Sequence, residues 1–166
     1  MRTKIVAVGW LLLLPCVAAA ASSDVERGRY LVKIGGCNDC HTAGYAPSGG
    51  AVPEAQWLTG QSVGFKGPWG ISYPVNLRLL VRTMSQGEWI QRVGKPVLPP
   101  MPWFSLRAMS ESDRRAMYRY IWSLGPAGSP APAYVAPGAA APTPYILFVP
   151  QQEERQAGAP APPLKN

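Results

Sequence analysis

The residues best placed to do chemistry lie within one short run, Cys37-Asn38-Asp39-Cys40-His41. Side chains three apart share a face of a helical turn. Both sulfurs can therefore reach one edge of a flat ligand, while the adjoining His41 carries an imidazole beneath it. C-x-x-C-H is the attachment motif of c-type haem, in which two thiols form thioethers with two vinyl groups and an imidazole nitrogen binds the iron. Other uses of the spacing fit less well. A thioredoxin-like C-x-x-C needs a βαβ setting, and none is visible. A zinc site needs four ligands, whereas Cys37, Cys40 and His41 supply three, with no second cluster. A disulfide between the two cysteines would leave His41 unexplained. The run therefore predicts one covalently bound haem c, with Cys37 and Cys40 as thioethers and His41 as an axial iron ligand.

His41 is the chain's single histidine, so a second axial ligand must be of another type. Beyond the leader described below, the methionines are Met84, Met101, Met109 and Met117. Met117 falls on the apolar stripe of a helix, where methionine fills space, and Met84 and Met109 sit at helix starts. Met101 lies in Leu98-Pro99-Pro100-Met101-Pro102-Trp103. Prolines on both sides stiffen an extended loop and can hold a thioether toward iron at small entropic cost. Met101 is the expected sixth ligand.

Three elements would position these groups. A hydroxyl residue followed three positions later by a carboxylate marks a helix start, and the pattern occurs at Ser23–Glu26, Ser85–Glu88 and Ser110–Asp113. It predicts helices over 24–34, 86–93 and 111–124. Each ends at glycine: Gly35-Gly36, Gly94 before Pro96, and Gly125 before Pro126. Met117, Tyr120, Ile121 and Leu124 form one buried stripe on the third helix, with Arg114, Arg115 and Arg119 read as a solvated face. Val25, Gly28, Leu31 and Val32 share a face of the first, where Gly28 would admit another helix closely. Residues 42–84 hold seven Gly and four Pro. Leu77, Leu80, Val81 and Met84 there have helical spacing over a short run. Such a long irregular stretch suits a compact domain only if it packs on something rigid and apolar that is not polypeptide.

The ends differ from this middle. Residues 1–21 read as a signal peptide: Arg2 and Lys4, then an apolar run from Ile5 to Leu14, then small residues from Ala18 to Ala21. The run is short for a membrane span and contains Pro15. Cleavage near Ala21 would discard Cys16. From 126 to 166 there are ten Pro, ten Ala and only four charged residues, which reads as a semi-extended, partly disordered tail. Within it Tyr145-Ile146-Leu147-Phe148-Val149 has strong β preference. That run is expected as a strap on the domain surface, with a partner-docking segment as the alternative. The whole chain of 166 residues carries +7, from 16 Lys+Arg and 9 Asp+Glu. No Lys/Arg cluster marks a nucleic-acid site. Membrane contact would come only through a partner or an uncleaved leader.

Helix, C-x-x-C-H, Gly/Pro-rich loops, a capped helix, a Pro-flanked methionine and a closing helix with Tyr118, Tyr120 and Ile121 resemble a class I monohaem cytochrome c over 22–125. The resemblance implies an all-α fold of few helices with long loops wrapped on the haem. It implies His41 and Met101 as axial ligands, and Gly28 and Leu31 meeting Tyr120 and Ile121. It implies a proline carbonyl accepting from His41, with Pro47 and Pro53 as candidates. Gly67-Pro68-Trp69-Gly70 and Tyr73–Leu77 resemble haem-lining loops, and Trp69, Tyr73, Asn76 or Arg78 could touch a propionate. The implied function is a non-enzymatic, periplasmic one-electron carrier exchanging with a dehydrogenase, an oxidase or another cytochrome. The alternatives are a cytochrome subunit docked to a periplasmic dehydrogenase or membrane oxidase, and a haem enzyme or gas sensor with a labile sixth ligand.

Overall fold

The computed structural model describes residues 15–150, with side chains from Ser23 onward. The first fourteen residues of the expected leader and residues 151–166 lie outside the described residues. Six helices and three short strands follow in order: α1 (Pro15–Ile34), α2 (Cys37–His41), β1 (Gly64–Gly67), β2 (Gly70–Ser72), α3 (Leu77–Leu80), α4 (Gln86–Arg92), α5 (Trp103–Ala108), α6 (Glu111–Ser123) and β3 (Tyr145–Leu147). Single 3-10 turns add Glu54–Gln56 and Val81–Thr83. Among the described residues no helix is long and apolar enough to cross a membrane.

The frame is the crossing of α1 and α6. Gly28 makes it possible: a Cβ there would stand 2.1 Å from the Ala116 carbonyl oxygen and 2.7 Å from Tyr120 Cβ. Around the crossing, Leu31, Val32, Ala116, Met117, Tyr120 and Ile121 are buried, and Tyr45, Trp57, Leu58, Val81 and Trp89 complete the core. Ion pairs tie the two helices at their rims, Arg27 to Asp113 at 2.9 Å and Arg119 to Asp24. The expected solvated arginine face is therefore in part a set of tethers. Arg119 serves α1, and Arg114 donates to the Ile90 carbonyl at the end of α4.

Two of the three predicted caps form. Ser85 and Glu88 make the reciprocal capping box of α4, and Ser110 Oγ accepts from the Asp113 amide at the start of α6. The third expectation is corrected: α1 does not begin at Asp24 but runs through Ser23 from Pro15, an apolar and alanine-rich stretch that prolongs the helix. Asn76 caps α3 through the Leu79 amide, 3.1 Å.

The all-α expectation is overturned by a three-stranded mixed sheet of order β2-β1-β3. β1 and β2 form a hairpin with Lys66 opposite Ile71, and its turn is Pro68-Trp69. Gly67-Pro68-Trp69-Gly70 is therefore a hairpin corner rather than a free loop. Gly67 leaves room for the Trp69 ring, which a Cβ would meet at 2.4 Å. β3 runs parallel to β1, Phe65 opposite Ile146. Strands of three and four residues rich in glycine carry too little periodicity to register in sequence.

The Tyr145–Val149 run thus takes strand form over Tyr145–Leu147, and the chain leading to it lies along the domain. Val135 exchanges both backbone hydrogen bonds with Ile71, at 2.8 and 3.0 Å. Tyr134 Oη donates to the Trp69 carbonyl at 2.7 Å. Asn76 Nδ2 donates to the Ala127 carbonyl at 2.8 Å and to that of Ser129 at 3.2 Å. Phe148 packs edge-on against Phe65 and Trp69.

Candidate functional site

Cys37, Cys40 and His41 occupy α2, one short helix entered through Gly36 in the left-handed conformation (φ 67°). A left-handed residue breaks the chain direction after α1, which glycine allows without a Cβ clash. Both cysteines are free thiols, so the disulfide alternative is not formed. Burial pushes the Cys37 thiol up to about 11 and raises that of Cys40 as well. At neutral pH both are therefore thiols rather than thiolates, which does not suit a reactive dithiol. Among the described residues no three His, Cys, Asp or Glu side chains converge as a metal-ion site.

His41 is 7% exposed, and its Nδ1 lies 2.7 Å from the Val75 carbonyl oxygen. A carbonyl only accepts, so Nδ1 carries the proton and donates, leaving the lone pair on Nε2. Burial lowers the imidazole's pKa, against the opposing pull of the Val75 carbonyl, and the neutral form prevails at neutral pH. The partner expected for this nitrogen was a proline carbonyl, Pro47 or Pro53. The structure instead gives Val75, the residue after Pro74.

A dense set of hydrogen bonds holds α2 in place behind the imidazole. Asn38 and Thr42 are each 1% exposed. Thr42 Oγ1 donates to Asn38 Oδ1 at 2.8 Å and accepts from the Leu58 amide at 2.8 Å. The Gly60 amide donates to the His41 carbonyl at 2.7 Å. These contacts knit α2 to the 57–60 turn. Sequence reading missed this role of Thr42, because its partner is sixteen residues away.

Met101 stands on a different element, the proline loop between α4 and α5, where its carbonyl accepts from the Trp103 amide at 2.9 Å. Ser72 Oγ donates to the Pro99 carbonyl at 2.5 Å, fastening that loop to β2. Met109 Cε and Cys37 Sγ would each lie 3.8 Å from a Cβ on Gly35, so Met109 packs where α1 turns into α2. Met117 lies in the core.

Of the four residues expected near a propionate, two are already committed. The Arg78 guanidinium donates to the Gly125, Ala55 and Leu124 carbonyls, holding the end of α6, where a cation complements the helix dipole. Asn76 caps α3 and holds the strap. Tyr73 Oη accepts from Thr143 Oγ1. Trp69 Nε1 is a buried donor without a hydrogen-bond partner.

The donor set fits a covalently tethered haem on three counts. Two thiols lie three apart on one helical turn, a neutral imidazole has only Nε2 uncommitted, and the loops bearing Val75 and Met101 expose apolar surface. On them Val75, Val97 and Leu98 are 44%, 48% and 42% exposed, surface that a flat apolar group lying there would cover.

No family model matches the chain, and no solved structure matches it. The chain is 30% identical over 128 residues to one of the subunits of the nicotinate dehydrogenase of Pseudomonas putida, a match covering 72% of this chain. It spans about a tenth of that relative, 10% of its length. The chain is therefore similar to a small part of a dehydrogenase subunit.

Proposed function

We propose that this protein is a one-electron carrier of the periplasm, with a single covalently attached haem c bound through Cys37 and Cys40 and ligated by His41 and Met101. It serves as the cytochrome partner of a dehydrogenase. The observation that carries the reading is the α2 turn, where two thiols and a neutral imidazole share five residues and the Val75 carbonyl orients the imidazole at 2.7 Å. The similarity to part of a dehydrogenase subunit supports the class of partner.

When bound, the haem supplies the Fe(II)/Fe(III) couple, and a thioether ligand favours Fe(II). Cys37 and Cys40 tether the group. His41 presents Nε2, made more basic because Val75 draws on the Nδ1 proton. Met101 would offer its thioether to the iron from a loop pinned to β2 by Ser72. The Trp69 indole holds a donor ready for a carboxylate. The excess of basic over acidic residues, 16 against 9 in the whole chain and kept in part after the leader with Arg2 and Lys4 is removed, favours encounter with an acidic partner surface.

Absorption spectra of protein produced in a host that matures c-type cytochromes test the reading. The wild type should be coloured in both redox states and keep its haem on a denaturing gel, and the Cys37→Ser/Cys40→Ser variant should lose it. Met101→Ala should keep the covalent haem but lose the Fe(III)–thioether charge-transfer band. Colourless wild-type protein overturns the proposal, and a band that survives in Met101→Ala overturns that ligand.

A further inference from the structure

Gly60 touches the histidine from two directions. Its amide donates to the His41 carbonyl at 2.7 Å, and Thr42 and Gly60 form a parallel bridge. On its other side the α-carbon faces the segment whose Val75 carbonyl receives the His41 Nδ1 proton. A Cβ on Gly60 would stand 2.9 Å from the Pro74 carbonyl oxygen, 2.9 Å from the Asn76 amide nitrogen and 3.1 Å from the Val75 carbonyl carbon. All three are backbone atoms, which cannot swing aside as a side-chain tip can. The residue also has φ +76°, and Leu58, two residues earlier, is left-handed too, with φ 61°. This tight turn brings both neighbours within reach: the Leu58 carbonyl accepts from Leu77 at 3.0 Å, and the Gln61 amide donates to Pro74 at 3.4 Å.

We propose that Gly60 is a positioning residue for His41: its missing side chain sets the spacing between α2 and the 74–76 segment, and hence the Nδ1–H···O=C bond to Val75. Any side chain here pushes the Val75 peptide away from the imidazole. The bond then lengthens, Nε2 becomes a weaker donor, and in a haem-bearing protein Fe(III) loses stabilisation relative to Fe(II). The effect on the redox couple rests on the function proposed above, whereas the effect on the imidazole hydrogen bond does not.

The test compares Gly60→Ala with Gly44→Ala. Gly44 has nearly the same φ, +75°, and nothing within 4 Å of its would-be Cβ, so it carries the backbone strain without the collision. Gly60→Asn keeps the Cβ but tolerates the left-handed conformation better, and is the variant to measure should Gly60→Ala fail to accumulate. His41 is the only histidine, so nitrogen-15 histidine labelling of the protein as purified, reduced if haem is present, gives one imidazole to follow.

In the wild type and Gly44→Ala the Nδ1 proton should be protected from solvent exchange. In the Gly60 variants protection should drop at least tenfold, with the Fe(II)/Fe(III) equilibrium shifted about tenfold toward Fe(II), which is about 59 mV for one electron. Gly60 variants matching Gly44→Ala in both readouts overturn the proposal. Colourless wild-type protein whose Nδ1 protection still falls only in the Gly60 variants leaves this inference standing and removes the electron-carrier reading. Colourless protein without that difference removes both.

Discussion

Glu54 is the most heavily used carboxylate in the described molecule. Arg29 Nε lies 2.9 Å from both its oxygens, and Tyr120 Oη donates to it at 2.8 Å. The Arg29 guanidinium holds the Glu54 carboxyl below its ordinary range near 4.5, and the Tyr120 hydroxyl acts in the same direction. Tyr120→Phe should therefore lower stability by about 1 kcal/mol, read as a shifted denaturant midpoint. Asp113 is held down by Arg27, and Glu88 by its bonds to Ser85. A carboxyl with a depressed folded-state pKa contributes stability above its unfolded value and loses it as pH falls through the folded one. The part of the midpoint owed to these carboxylates should hardly vary near neutrality and fall below about pH 4.5. His41, whose imidazole burial holds low, adds a decline that begins below its ordinary value near 6.5. Glu54→Gln should make the carboxylate fall shallower, and an identical slope would remove Glu54 from the account. The Glu54 set was not legible in the chain, because Arg29 and Tyr120 lie 25 and 66 residues from Glu54, whereas the Ser85–Glu88 pairing was. The α2 motif was legible because its three groups are neighbours in sequence, yet the acceptor of the His41 proton was not, since Val75 reaches it across 34 residues.

At the scale of elements, the crossing of α1 and α6 depends on Gly28. Gly28→Ala places a methyl 2.1 Å from the Ala116 carbonyl oxygen, which only a separation of the helices can relieve. Overpacking of this kind costs about 1–3 kcal/mol or more. Thermal unfolding should report a lower midpoint for Gly28→Ala, while Gly87→Ala, on α4 with nothing within 4 Å, should leave it unchanged or raise it. Helices α4 and α6 were legible because Ser85 and Ser110 are local signals read within three residues. The Ser23 signal misled, since Pro15 and the alanines after it continue the helix that Ser23 would have started. Helix α5 follows a proline loop without a side-chain cap, β1 and β2 are too short to show a period, and β3 pairs with a strand about eighty residues earlier. Local patterning could show none of these.

Taken whole, the molecule is a helical crossing with a small sheet and an uncharged strap from 125 to 150 laid across one side. The strap supplies partners to Asn76, to the Trp69 carbonyl and to Ile71. A chain ending at Gly125 should consequently be less stable by at least about 2 kcal/mol, from several lost hydrogen bonds of about 1 kcal/mol each. An unchanged melting temperature would mean that the strap only rests on the domain. Composition alone marked this region as a proline-rich tail, and only the apolar run at its end hinted at pairing.

The parallel ladder of β1 and β3 unites Gly64 with Tyr145, so about eighty residues must be gathered in before a single rung can close. Loop closure on that scale comes late, after the locally encoded helices have formed. Refolding should accordingly end in a slow step that belongs to the strap alone, and the chain ending at Gly125 should reach its final signal without it.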